Sequence, residues 1–243
     1  MNSKNKNTNK KILGAILVAL FAPSAFALQI CNFCLDCPYV GFELIQTNQN
    51  YKEGYGKGLF YKDQVNYNVF GGLRFARWLG LEAGYEASSK KGSQVRLEAG
   101  DRFPGNVLLD PGEFAIMEST IQVTHPYAGI FATCGWRCIS MQAMIGASVS
   151  HLKARYASLA TETGNLTTDQ YNSTVRTFSK TKVLPMAKIS GLYKFNNNFA
   201  LRANFNYRNT SLMKTKAQQG SGVAEIKMKD TIGVGLGVLF TFN

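Results

Sequence analysis

NYNVFGGLRFARWLGLEAGYEA, residues 66–87, alternates on both sides of a short turn at Ala76, Arg77 and Trp78. Odd positions bring Tyr67, Val69, Leu73, Phe75, Leu79, Leu81, Ala83 and Tyr85 to one face. Even positions bring Asn68, Gly72, Arg74, Gly80, Glu82, Gly84 and Glu86 to the other. A period of two marks β-strands, because successive side chains point to opposite sides of a sheet. The hairpin thus has one apolar face and one face of glycine and opposite charges. In a soluble sandwich the charged face meets water. In a membrane barrel the apolar face meets lipid and the charges fill a polar interior.

The N-terminus bears on that choice. Lys4, Lys6, Lys10 and Lys11 precede the apolar run of residues 12–21, and Ala25-Phe26-Ala27 follows. Positive charge, a short apolar run and small residues are the pattern of a secretory signal, and the run is short for a bilayer span. The expected division is a signal over residues 1–27, a cysteine-rich periplasmic segment over 28–38 and a β-domain over 39–243. Beyond the signal no stretch approaches the ~20 apolar residues of a spanning helix, so a membrane crossing requires a closed barrel. Taking the four signal lysines from 27 Lys+Arg leaves 23 against 15 acidic residues, a net +8. That excess favours anionic surfaces such as lipopolysaccharide phosphates or sulfated glycans. Nucleic acid is not an expected partner of an exported barrel.

Outward from the hairpin, the chain reads as eight strands. YVGFELIQTN (39–48) is the first, the hairpin gives the second and third, and a fourth spans about 113–133, with Ile121, Val123, Tyr127, Gly129 and Phe131 sharing a face. Pro126 predicts a bulge or break there, since proline donates no ladder hydrogen bond. A fifth spans 139 to about 156, a sixth about 175–195, a seventh FALRANFNYR (199–208), and the last places Ile232, Val234, Leu236, Val238, Phe240 and Phe242 on one face. Short connections follow strands two, four and six, and long ones follow one, three, five and seven. Pairing Phe75 with Leu79, Thr133 with Ile139 and Phe195 with Phe199 keeps odd residues outward throughout. The fold expected is all-β: an eight-stranded antiparallel up-and-down transmembrane barrel with short periplasmic turns and long surface loops.

Three observations favour lipid outside. The apolar rows of strands two, three, five, seven and eight carry no charge, as a lipid-facing surface requires. Tyr39, Phe75, Trp78, Phe131, Trp136, Tyr193, Phe195, Phe199, Phe240 and Phe242 gather at the short-turn ends, as in an interfacial girdle. The opposite faces carry Glu43, Arg74, Glu82, Glu86, Lys188, Arg202 and Arg208, which can pair inside a narrow barrel. A soluble lipocalin-type barrel needs the reverse arrangement, an apolar inside and a polar outside.

GGLRFARWLGLEAGYE (71–86), ISGLYKFNNNFALRANFNY (189–207) and TIGVGLGVLFTF (231–242) resemble the eight-stranded outer-membrane barrels of proteobacteria, the opacity-protein and outer-membrane-protein-A-like families. The resemblance spans residues 39–242 and implies residence in the outer membrane of a Gram-negative bacterium, among its lipid and lipopolysaccharide.

Five cysteines leave at least one unpaired within a single exported chain. Cys31, Cys34, Cys37, Cys134 and Cys138 all fall on the periplasmic side of this topology. The pairings open to them are a bridge closing the turn at Cys134 and Cys138, a bridge within the N-terminal trio, or a cross-bridge between the two groups. A CxxCxxC metal site is the further alternative, disfavoured by an oxidising compartment.

Catalytic signals are sparse. The two histidines, His125 and His151, are expected as rim residues near the surface-side membrane boundary. The His-x-Ser spacing of lipid A deacylases is missing, and no HExxH, P-loop or dinucleotide motif implies a metal or cofactor. Charges that fill an eight-stranded interior leave no open pore. The expectation is a non-enzymatic surface barrel, adhesin-like or envelope-stabilising, whose basic loops (Lys52, Lys57, Lys62, Lys90, Lys91, Arg96, Lys214 and Lys216) meet host or envelope ligands. A lipid A-modifying enzyme and a small gated leak are the alternatives.

Overall fold

The computed structural model describes residues 38–52, 59–103, 107–136, 138–161, 164–165, 167–216 and 225–242. The expected signal and Cys31, Cys34 and Cys37 lie outside them, as does Lys57.

Eight long strands form the wall: β1 (Tyr39–Tyr51), β2 (Asp63–Arg74), β3 (Leu79–Ser88), β4 (Ala115–Trp136), β5 (Ile139–Thr161), β6 (Arg176–Lys194), β7 (Phe199–Arg208) and β8 (Glu225–Thr241). Each pairs antiparallel with its sequence neighbour, and β8 returns to β1 from Tyr39↔Thr241 to Tyr51↔Met228. The ring is closed. Closure matters because no membrane-spanning strand is left with unpaired backbone groups in lipid.

Alternation sets which residues face lipid. Val69, Leu73, Leu81, Tyr85, Ile145, Val149, Phe205, Leu236 and Val238 are exposed on the outside, while their sequence neighbours are turned inward. On β5 the outward apolar row runs from Ile139 to Val149. At roughly 3.3 Å per residue and a tilt near 40°, that row covers about 25 Å of height, the thickness of the apolar band of such barrels. An uncharged apolar belt around a charged interior is the architecture of an outer-membrane barrel.

The structure corrects the sequence reading at the β4–β5 turn. Trp136 pairs with Ile139 and Cys134 with Met141, so the ladder runs closer to the turn than the expected pairing of Thr133 with Ile139. That register sets odd residues of β5 opposite even residues of β4. Ile130 is therefore 51% exposed on the lipid side, and Phe131 is 1% exposed inside. Tyr127, Val123 and Ile121 follow Phe131 inward, and Tyr39 does the same on β1. Phe131 and Tyr39 are thus interior residues and no part of a girdle. Pro126 causes no bulge: the ladder from β4 to β5 skips it, yet Thr124↔His151 and Tyr127↔Ser148 keep one register.

The loops hold more structure than their polar composition suggests. Residues 91–97 form a strand that pairs with the top of β4, from Lys91↔Ile121 to Leu97↔Ala115. A small hairpin joins Arg102–Phe103 to Val107–Leu108. A seven-residue helix, α1 (Thr168–Thr174), starts in a capping box where Thr167 and Gln170 bond reciprocally.

Candidate functional site

The interior is stacked in layers. At its centre, Arg202 on β7 reaches across to β3, donating from Nη1 to Oε2 of Glu82 at 2.7 Å and from Nη2 to Oε1 at 3.3 Å. Its Nε lies 3.2 Å from Oε1 of Glu43 on β1. Lys188 on β6 completes the cluster, with Nζ 3.1 Å from Glu43 Oε2 and 3.3 Å from Glu82 Oε1. The hydroxyls of Tyr39 and Tyr127 donate to Glu82 at 3.0 and 3.1 Å, and Asn68 donates to Glu43 at 2.8 Å. Phe70 roofs both cations, 4.6 Å from the Arg202 guanidinium and 5.2 Å from Lys188. Two acids and two bases, all nearly buried, pair with one another; left unpaired, each would carry a large desolvation cost.

One layer nearer the surface, Arg208 clasps Glu86 through both terminal nitrogens, and Asn66 donates to Glu86 Oε1 at 2.6 Å. Six of the seven charges expected inside (Glu43, Glu82, Glu86, Lys188, Arg202 and Arg208) therefore form two ion-pair layers. The seventh, Arg74, is buried at the periplasmic end of β2, outside those layers.

His125 departs from the expectation of a lone rim residue. It is buried in the interior, and its Nδ1 lies 2.6 Å from Oγ of Ser150, which is 3.3 Å from Oγ of Ser148. The sequence masks this contact because Ser150 adjoins His151, which points the other way. Glu86 stands opposite His125 in the β3–β4 register, but its carboxylate is taken up by Arg208 and Asn66. Serine, histidine and glutamate meet without forming a relay. His151 is half-buried on the outer side with Nδ1 2.7 Å from the Thr181 hydroxyl, as a rim residue would be.

Above the charges the interior turns apolar. Tyr51, Leu59, Phe60, Met117, Ile121, Val123, Leu152, Phe178, Met213, Ile226 and Met228 pack into one buried cluster. Tyr156 stacks on Phe178 with ring centroids 5.7 Å apart, and burial pushes its hydroxyl up to about 12. This cap packs at the surface end of the interior.

The surface carries the remaining residues. Trp78, Phe199 and Phe242 are exposed at the short-turn end, as interface anchors are. The Trp136 side chain lies outside the described part of the structure. Cys134 and Cys138 are both free and exposed, so the bridge expected between them is not formed. Lys52, Lys62, Lys90 and Lys214 are exposed at the surface end. Lys91 sits 4.8 Å over the Tyr61 ring, and Arg96 pairs with Glu98 at 3.0 Å while stacking on Phe114. For Lys216 the structure gives only the backbone, paired with Glu225. Among the cations not singled out in the sequence are Lys153 and Arg155, on the outward face of β5 above Val149. They continue the strand's alternation past its last apolar residue, and that was the available signal.

No family model matches the chain, and no curated protein does. Among solved structures it is similar to Ail, the attachment invasion locus protein of Yersinia pestis, at 14% identity and a TM-score of 0.46, covering 86% of this chain and all of that one. It is similar to OprG of Pseudomonas aeruginosa at 11% identity and 0.48, covering 86% and 97%. The outer membrane protease OmpT of Escherichia coli aligns at 11% and 0.44, covering 88% and 99%. Likeness at this level assigns no function. The strand register of the chain itself shows what it is built as: an eight-stranded outer-membrane β-barrel.

Proposed function

We propose that this barrel is a non-enzymatic surface protein that holds a rigid, basic extracellular head for contact with anionic partners. The observation that carries the proposal is the length of β4, β5 and β6. Each continues well past its last lipid-facing apolar residue (Pro126, Val149 and Val183), and the extensions pair with one another and with residues 91–97. Below that sheet the apolar cap gives the head a core of its own. A head with its own core is a platform, and Lys52, Lys62, Lys90, Lys91 and Lys214 surround it with positive charge.

The cap weighs against a pore, and the buried position of His125 and Ser150 weighs against hydrolysis, since neither side chain meets solvent. The test is binding of whole cells to heparin, a soluble polyanion, with and without Lys52→Gln, Lys62→Gln and Lys214→Gln combined. Weaker binding by the variant is expected, and unchanged binding would remove the basis for the proposal. Release of acyl chains from lipid A on expression would replace it with an enzymatic one.

A further inference from the structure

The ring of strands that is closed in the membrane is not closed above it. Residues Lys91–Leu97 continue the line of β3 along β4, from Lys91↔Ile121 to Leu97↔Ala115 with no break in register. Within the wall, β3 has β2 on its other side, from Asn66↔Ser88 to Arg74↔Gly80. The chain leading into β2 does not extend that pairing upward. Its ladder with β1 ends at Asn48↔Asp63 and the bond from Gln49 N to the Lys62 carbonyl. Just before that point the chain lies inside: Leu59 and Phe60 are buried in the cap, and Ser119 Oγ donates to the Leu59 carbonyl at 2.6 Å. Lys91–Leu97 is thus the end strand of its sheet, and among the described residues no backbone hydrogen bond reaches its outer side.

An end strand of this kind is a template for another. Alternate residues of an antiparallel strand turn both N–H and C=O to one side, so this edge offers about six to eight groups. Proline or a bulge commonly blunts such an edge, and this one has neither. It begins six residues past Tyr85, a large lipid-facing side chain of β3, which sets it roughly 15 Å higher and clear of the hydrocarbon.

The inner margin of the edge is apolar: Val95 packs on the cap, and the Tyr61 ring is 45% exposed. Its outer side is polar and open, with Gly92, Gln94 and Arg96 exposed. Its lower end is basic, with Lys62 and Lys90 exposed and Lys91 Nζ 4.8 Å over the Tyr61 ring. Carboxylates near it have partners of their own. Asp63 accepts from Asn48 Nδ2 at 2.7 Å, Glu98 pairs with Arg96 at 3.0 Å, and Glu118 has Arg155 at 4.0 Å.

We propose that this edge binds an extended acidic segment of another protein by strand addition. The segment's backbone continues the sheet, its alternate apolar side chains cover Val95 and Tyr61, and its carboxylates meet Lys62, Lys90 and Lys91. A second copy of this chain fits less well, because its own edge strand carries Lys91 and Arg96 and no carboxylate. The inference rests on the surface reading, with the head outside the cell, and narrows its anionic partner to an extended polypeptide.

The test titrates the full barrel, refolded in detergent micelles, with a fluorescent peptide that alternates valine with glutamate. Two N-methylated forms, one blocking the valine N–H groups and the other those of glutamate, each strip the donors from one peptide edge. The parent peptide should bind, one methylated form should bind roughly tenfold or more weakly, and the other should bind like the parent. Equal behaviour of the two forms would overturn strand addition, since attraction to lysines alone is blind to which edge is blocked. Amide exchange should slow within residues 91–97 on binding, and slowing confined to other residues would overturn the site. A barrel that dimerises through this edge and takes no peptide would overturn the partner. Each exposed charge pair contributes roughly twofold, so K90Q/K91Q should bind about fivefold more weakly, with heat-modifiable gel migration verifying its fold. Heparin is the separate arm. Heparin binding unaffected by K52Q/K62Q/K214Q, with the edge preference for peptide intact, would leave strand addition standing and count against the surface proposal alone. Heparin binding lowered by that variant, with no edge preference for peptide, would count against strand addition alone.

Discussion

Arg202 and Glu82 are joined across the full width of the barrel by two hydrogen bonds, from strands that are not neighbours in the wall. A contact between distant strands holds the cross-section of the barrel in a way that ladder hydrogen bonds do not. Glu82→Ala removes the acceptor for Arg202, Lys188, Tyr39 and Tyr127 together. It should cost about 3–5 kcal/mol, the usual penalty for stranding a buried charge. Urea unfolding in micelles, followed by the shift from folded to unfolded gel migration, measures it. The pair variant E82Q/R202M should recover part of the loss, because it leaves no bare cation.

Gly237 faces the same cluster. A Cβ there would collide with the Phe42 carbonyl and the Glu43 side chain. The carbonyl belongs to the β1–β8 ladder and has no room to yield, so Gly237→Ala should sharply lower the yield of folded barrel. Gly191→Ala, whose Cβ meets nothing within 4 Å, should fold as wild type does. Refolding yields of the two variants, compared side by side, test the assignment.

The β4–β5 register makes a prediction of its own. With Ile130 outward and Phe131 inward, Ile130→Arg places a charge in lipid at a cost of about 2–4 kcal/mol. Phe131→Leu keeps an apolar residue in the interior layer and should cost less than half of that. Were the faces reversed, the arginine would sit in the polar interior and the ranking of the two variants would change.

The cap should be separable from the barrel. Phe178→Ala removes a ring from its centre and should cost the head about 3–5 kcal/mol. Limited proteolysis of folded protein should then cut the surface loops faster, while the membrane portion still migrates as a folded barrel. Simultaneous loss of both would mean that the head has no core of its own.

The exposed thiols test the topology. Cys134 and Cys138, in a chain with Cys31, Cys34 and Cys37 changed to serine, should react with a membrane-impermeant maleimide only after the outer membrane is opened. Labelling of intact cells would place the short turns outside.

Much of this fold was legible in the sequence because alternation is a direct image of a strand with two different sides. The hairpin of residues 66–87 and the turn from Phe195 to Phe199 were legible in the register the structure shows, and so were the two faces of β7 and β8. The failure on β4 has a physical cause. Period-two patterning separates two faces, and it does not say which face meets lipid when both are apolar. On β4 the outward row is Ile130, Ala128, Pro126 and Thr124, weakly apolar and small. The inward row holds Phe131 and Tyr127 beside the ion pairs, then Val123, Ile121 and Met117 in the cap. The heavier row looked like the lipid side. The pairing of Trp136 with Ile139 was not legible either, because shifting it to Thr133 kept the odd-numbered residues of both strands on one face. Within the interior, the expected charges were found, but their pairing depends on cross-barrel distances that no local pattern encodes. The Ser150–His125 contact was missed for another reason: it lies between neighbouring strands and needs the β4–β5 register, in which Thr124 pairs with His151.

The apolar cap gives assembly of this protein a direction. Its residues come from β1, β4, β5, β6, β8 and the segments between them, so they meet only after those segments have passed through the bilayer. Before that moment they are separate stretches of chain; afterwards they are one packed body wider than any strand that carried them. The cap thus works as a ratchet pawl. Pulling a strand end back through the bilayer would require breaking it.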